Sequence, residues 1–125
     1  MKNWPSAIIL CGALLYATTL PAQPRCTPDA ALQQWLLTQA KGWHTLLQHY
    51  PGLEEPPPLR LCRIAHGQPH TDHGEIRLPP MPAEELRLAA AHEYLHLHFR
   101  HHPNGRDEPF IEQLARALIL GEPPP

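Results

Sequence analysis

Residues 75–98 have the sequence EIRLPPMPAEELRLAAAHEYLHLH, and this stretch determines the kind of fold to expect. Residues 75–78 alternate polar and apolar side chains and stop at two prolines, a pattern typical of a short edge strand. A long helix is predicted from Pro82 to His102, because Glu84 and Glu85 place acids in its first turn. The stretch therefore predicts a strand followed directly by a long helix.

The flanking sequence supplies the other predicted elements. Thr27, followed by proline and aspartate, resembles a helix start with a hydroxyl cap, and apolar residues recur at helical spacing up to Tyr50. Residues 59–64 alternate apolar and polar side chains, as in a half-buried strand. Asp107 can cap a last helix over residues 108–120. We expect an α+β fold with an N-terminal helix, a short two-stranded antiparallel sheet, a long helix and a C-terminal helix.

The first 22 residues are predicted to be a secretory signal peptide. Their apolar run, Ala7 to Leu20, is too short for a membrane span, which needs about 20 residues, but it suits a signal-peptide core. Cleavage after Ala22 would leave residues 23–125 as one domain without a stable membrane span; the alternative is an uncleaved anchor. We therefore expect a periplasmic or secreted protein.

The chain contains 125 residues, of which 10 are histidine and 17 are proline, and its formal net charge is −2. The sequence has no basic stripe, so nucleic acid is not an expected partner. Most of the histidines lie between His66 and His102, and clustered histidine indicates metal or proton chemistry.

Two cysteines lie beyond the predicted signal peptide, Cys26 and Cys62. An even pair in an oxidising compartment predicts one disulfide. The loop it closes corresponds to a stabilisation of about 3–4 kcal/mol in the chain-entropy description. A small secreted domain gains from such a cross-link, because its hydrophobic core is limited.

The motif H-E-x-x-H occupies His92 to His96 within the predicted long helix. Residues four apart lie on one helix face, so both imidazoles can reach one Zn²⁺ and leave positions for a third protein ligand and a water. Zinc lowers the pKa of a bound water to about 7, and Glu93 can take a proton from that water and return it to a leaving amine. Zn²⁺ is therefore the expected cofactor, with Glu93 as the catalytic residue.

The strand, the H-E-x-x-H helix and a second helix carrying an acid resemble the catalytic core of the zincin metallopeptidases. The resemblance implies that His92 and His96 bind zinc and that Glu93 is the general base and acid. In the gluzincin arrangement the third ligand is a glutamate on the next helix, which would be Glu112. Two other arrangements stay open: the aspzincin pattern would use Asp107, and the metzincin pattern would use His102.

These features lead to a leading hypothesis and two alternatives. The first is a secreted zinc-dependent peptidase that hydrolyses peptide or protein substrates in the cell envelope. The second is a non-catalytic metal-binding protein that uses the loop histidines His66, His70 and His73. The third rests on the string from His92 to Leu97 together with Arg100-His101-His102-Pro103 and Asp107-Glu108. It is similar to a poorly characterised family of secreted bacterial proteins encoded near bacterial alpha-2-macroglobulins, which implies a partner role toward such a protein.

Overall fold

The computed structural model describes residues 25–125 together with the isolated positions Asn3 and Gly12. The predicted signal peptide therefore lies outside the described residues, apart from those two positions. Over the described part of the chain, no helix combines the length and the apolar character needed to cross a membrane.

Three helices and a small four-stranded mixed sheet make up the described structure, which confirms the predicted α+β class. The elements in chain order are β1 (Thr27–Pro28), α1 (Ala30–Leu47), β2 (Arg60–Arg63), β3 (His70–Asp72), β4 (Glu75–Leu78), α2 (Ala83–His98) and α3 (Glu108–Leu120).

The sheet differs from the predicted antiparallel pair. Its strand order is β1-β2-β4-β3, and β2 and β4 pair in parallel. The chain runs from β2 to β4 through β3. Residues 70–72, which were predicted as loop, form this strand and pair antiparallel with β4. The two residues that join them, His73 and Gly74, both have positive φ, the backbone that suits a two-residue hairpin turn.

The start of α1 also differs from the prediction, because the cap is Asp29 and not Thr27. The Asp29 side chain accepts a hydrogen bond of 3.0 Å from the backbone N–H of Leu32. Thr27 and Pro28 instead run antiparallel to β2 as β1. The predicted disulfide between Cys26 and Cys62 is present and fastens this strand to β2.

The helix that carries the H-E-x-x-H motif is one turn shorter than predicted, since α2 ends at His98 and not at His102. The next residue, Phe99, is fully buried, and it packs edge-on against Tyr50 and Phe110. Its carbonyl accepts from the N–H of His102, which begins a tight turn back toward α3. Burial of Phe99 thus ends the helix and reverses the chain.

The hydrophobic core lies between the sheet and the three helices. The inner face of α2 supplies small and aliphatic residues, and Trp43 of α1 packs edge-on against Tyr94 at a ring separation of 5.8 Å. The largest fully buried side chains come from every helix and from β2 and β4: Phe99, Leu36, Leu61, Ile76, Leu78, Leu95, Ile111 and Leu114. The opposite face of α2 is left for α3 and the polar residues between the two helices.

Gly105 closes the turn between α2 and α3, and a side chain there has no space. A Cβ atom at this position would overlap the carbonyl oxygen of Phe99 and crowd that of His102. We expect Gly105→Ala to lower the free energy of unfolding by about 2–3 kcal/mol, because the backbone of the turn must move. Urea denaturation followed by circular dichroism measures this loss.

Gly42→Ala is the matched control for this substitution. Gly42 lies inside α1, and an added Cβ there meets no atom within 4 Å. Alanine should therefore stabilise the protein by up to about 1 kcal/mol through its helix propensity. Equal effects of the two substitutions would contradict the role given to Gly105.

Candidate functional site

His92 and His96 lie one turn apart on the face of α2 that packs against α3. Their ring centroids are 4.9 Å apart, and their Nε2 atoms approach to 3.1 Å. Both side chains are largely buried, with 17% and 22% of their area exposed. The helix spacing therefore brings the two imidazoles together as the sequence predicts.

The other nitrogen of each ring, Nδ1, lies beside an oxygen that accepts a hydrogen bond. At His92 this oxygen belongs to the Glu112 carboxylate, which accepts only when it is ionised, and at His96 it is a backbone carbonyl. Nδ1 of His92 lies 2.7 Å from a carboxylate oxygen of Glu112, and Nδ1 of His96 lies 3.0 Å from the backbone carbonyl of Gly105. In the tautomer that satisfies these two acceptors, each Nδ1 carries the proton and donates it. Both Nε2 atoms of the neutral rings are then left as acceptors that point at each other.

Glu108, in the first turn of α3, adds a carboxylate to this point. One of its oxygens lies 2.8 Å from Nε2 of His92 and the other lies 2.9 Å from Nε2 of His96. Lone pairs of two nitrogens and a carboxylate thus converge, and they repel unless a positive charge lies among them. A proton on one imidazole or a cation can supply that charge. Among the described residues, these three side chains form a group with ligand atoms within 4.8 Å of one another.

Glu93 lies beside this cluster. Its side chain is buried, with 8% exposed, and one carboxylate oxygen accepts a hydrogen bond of 2.7 Å from the hydroxyl of Thr71 on β3. Glu93 lines the same cleft of about 430 Å³ as His92, Glu108 and Glu112. The short strand β3, absent from our prediction, therefore fixes the predicted catalytic residue from outside its own helix.

The position that we predicted for Glu112 is taken by Glu108. The predicted helix continued to His102, six residues beyond His96, and the resemblance implied Glu112 on the next helix as the third ligand. Because α2 ends only two residues after His96, the facing residue shifts one turn toward the start of α3. Glu112 instead contacts the Nδ1 side of His92, a position suited to orienting the ring. Glu108 and Glu112 are four residues apart, and this spacing in the sequence indicates that both can lie on the face of α3 that points toward α2.

The two other candidate ligands, Asp107 and His102, make contacts away from the two Nε2 atoms. Asp107 caps α3 by accepting a hydrogen bond from the backbone N–H of Phe110. His102 stacks edge-on against Phe99, and its Nδ1 accepts from the backbone N–H of Asn104. Neither belongs to the group of ligand atoms formed by His92, His96 and Glu108.

The remaining side chains of interest lie elsewhere. The loop histidines His66, His70 and His73 are exposed. Tyr94 and His98 occupy the opposite face of α2, where they are hydrogen-bonded at 3.0 Å and line a second cavity of about 920 Å³. Burial raises the pKa of Tyr94 to about 12 and lowers the pKa of His98, so both side chains are neutral near pH 7.

Comparison with known protein families matches residues 10–104 to a family described as "Predicted secreted protein (DUF2300)". The chain belongs to this family. The match includes His92, Glu93 and His96 of α2, and it ends before α3. The family's description confirms the prediction of a secreted or periplasmic protein.

One relative shows how the sequence occurs in a longer protein. The chain is 40% identical over 88 residues to "Uncharacterized protein YfaQ" of Escherichia coli (strain K12). The match covers 69% of this chain but 16% of that relative, so the chain corresponds to a small part of it. No solved structure matches the chain.

The hydrogen bonds to the ring nitrogens predict fixed tautomers. In metal-free Glu108→Ala, where the carboxylate beside both Nε2 atoms is removed, neutral His92 and His96 should both be protonated at Nδ1. Adding Glu112→Ala to this variant should abolish the preference at His92, because the acceptor is lost, and leave His96 unchanged, because its acceptor is a backbone carbonyl. Two-bond ¹H–¹⁵N correlation spectra of the imidazoles distinguish the tautomers. If both rings changed alike in the variant, Glu112 would not be orienting His92.

Proposed function

We propose that this protein is a secreted zinc-dependent hydrolase of peptide bonds. The observation that carries the proposal is the convergence of both Nε2 atoms with the carboxylate of Glu108, while hydrogen bonds occupy both Nδ1 atoms. A proton or a cation at its centre relieves the repulsion within this cluster, and a cation there can be held by all three side chains. Glu93, a carboxylate able to exchange protons, lines the same cleft as His92 and Glu108.

The donor set fits zinc. Two imidazoles and one carboxylate, together with a water, are a common ligand set of catalytic zinc. His92, His96 and Glu108 would hold the ion, and Glu112 and the Gly105 carbonyl would orient the two rings. Among the described residues, the loop histidines contribute to no ligand group of this kind, so the structure favours one site over general metal buffering.

Zinc at this position would supply a Lewis acid and lower the pKa of a water to about 7. The chain supplies the proton transfers. The carboxylate of Glu93 accepts a proton from the attacking water and delivers it to the amine that leaves when the C–N bond breaks. Thr71 donates to one Glu93 oxygen, which leaves the other oxygen for the water. The cleft beside Glu93 gives the peptide its place.

The alternative is a metal-binding protein without catalysis that acts as a partner of an envelope alpha-2-macroglobulin-like protein. That role would suit a closed site with four protein ligands. The Glu108 side chain is 64% exposed, so the cluster is open toward the cleft. This openness supports hydrolysis over a purely structural site.

Zinc binding should depend unequally on the two glutamates of α3. We expect the wild-type protein to bind one equivalent of Zn²⁺ tightly and Glu108→Ala to lose that tight binding, because a ligand is removed. Glu112→Gln should weaken binding by about 10–100-fold, because only the orientation of His92 is affected. Competition with a chromogenic chelator measures both changes.

His73→Ala is the control for these variants. The His73 side chain is 95% exposed and lies outside the cluster, so its removal should leave zinc affinity unchanged. If zinc binding fell in His73→Ala and survived in Glu108→Ala, the metal site would lie elsewhere.

Hydrolysis should depend on Glu93, whereas zinc binding should not. Glu93→Gln keeps the size of the side chain but removes the base, so we expect one bound zinc and a rate at least about 10²–10⁴-fold lower. Cleavage of a mixture of short synthetic peptides, followed by mass spectrometry, measures the rate. Undiminished cleavage by the zinc-loaded variant would refute the mechanism.

A further inference from the structure

The cleft beside the histidine cluster extends along α2 toward the start of that helix. Glu85, Leu88, Ala89 and His92 all line it, and their spacing of three and four residues places them on one helix face. Glu85 precedes His92 by about two turns, which corresponds to roughly 10 Å along the helix axis. The cleft therefore reaches from the cluster to a carboxylate on the exposed first turn of α2.

The lining of this cleft is strongly acidic. Among the described residues, the lining contains neither lysine nor arginine. It contains four carboxylates, those of Glu85, Glu93, Glu108 and Glu112. Glu93, Glu108 and Glu112 are engaged with Thr71 and the two histidines. Even with a divalent cation at the cluster, the charge of these carboxylates leaves the cleft negative.

Glu85 differs from the other three carboxylates. It is exposed in the first turn of α2, and among the described residues its side chain forms neither an ion pair nor a hydrogen bond. The nearby Arg87 is held over the ring of Trp35, with its guanidinium carbon 5.5 Å from the ring centroid. Glu85 is thus a free negative charge at the far end of the cleft.

The walls between Glu85 and the cluster are apolar. Leu88 and Ala89 lie on α2, and Met81 and Pro69 come from the segments that precede α2 and β3. All four are half-buried. Such a surface accommodates the methylene stem of a lysine or arginine, whose charged end then reaches a carboxylate.

We infer that the cleft selects peptides that carry a lysine or arginine close to the bond that is cleaved, with Glu85 as the residue that recognises the charge. The inference rests on the proposed hydrolase function. An acidic side chain would be repelled by the same four carboxylates, and a neutral one would gain only the apolar walls.

The test compares Glu85→Gln with Glu84→Gln. Both residues are exposed glutamates in the first turn of α2, but Glu84 does not line the cleft. Quenched fluorescent peptides that differ only by lysine, norleucine or glutamate at one position, scanned on both sides of the bond, give kcat/KM values for the zinc-loaded protein. We expect lysine to be preferred and glutamate to be disfavoured in the wild type. Glu85→Gln should reduce the lysine preference about three- to fivefold, since an ion pair at an exposed carboxylate is weak.

A control variant and the salt dependence test whether the lysine preference comes from the charge of Glu85. Glu84→Gln should retain the lysine preference, and high salt should reduce it in the wild type, because salt screens exposed charges. Cleavage without any lysine preference, or an equal loss in both variants, would overturn the inference while leaving the hydrolase function intact.

Binding gives a second readout that does not need catalysis. Chemical-shift titration with N-acetyl-lysine amide should perturb the backbone amides of Leu88 and Ala89, and the corresponding glutamate compound should not. The perturbation should weaken in Glu85→Gln and persist in Glu84→Gln. If no peptide is cleaved but lysine binds in this way, the hydrolase function fails and the recognition of basic side chains stands. The inference fails if the lysine compound leaves both amides unperturbed.

Discussion

The reversal of the chain between α2 and α3 is the constraint on which the rest of the site depends. Burial of Phe99 ends α2, and Gly105 lets the chain pass close to the Phe99 carbonyl before α3 begins. The same glycine offers its own carbonyl to Nδ1 of His96. One turn therefore sets the length of the motif helix, the approach of the next helix and the orientation of one ring.

One face of α2 packs into the core, and the other carries the residues of the candidate site. Its inner face packs into the core through residues such as Ala90 and Leu95, which are fully buried. A helix anchored in this way presents its outer face rigidly, and side chains on rigid elements hold their geometry better than side chains on loops. The pair His92 and His96 thus approaches Glu108 with little freedom, even though Glu108 itself is exposed.

The sheet contributes to the site as well as to the core. The hairpin of β3 and β4 brings Thr71 to the carboxylate of Glu93, which follows it by 22 residues. The disulfide between Cys26 and Cys62 fastens β1 to β2, at the edge of the sheet opposite to β3. The edge that carries the disulfide is thus separate from the edge that faces the cleft, and the cross-link leaves the cleft open.

The sequence by itself determined the α+β class, the approach of His92 to His96 and the cysteine pairing. These follow from helical spacing, from strand alternation and from the small number of cysteines, all of which act over short distances or leave few choices. Tertiary structure decided that α2 ends at His98, that Glu108 and not Glu112 faces both Nε2 atoms, and that β3 exists. The physical reason is that helix ends and a two-residue hairpin depend on contacts between distant residues, such as the packing around Phe99, which local propensity does not encode.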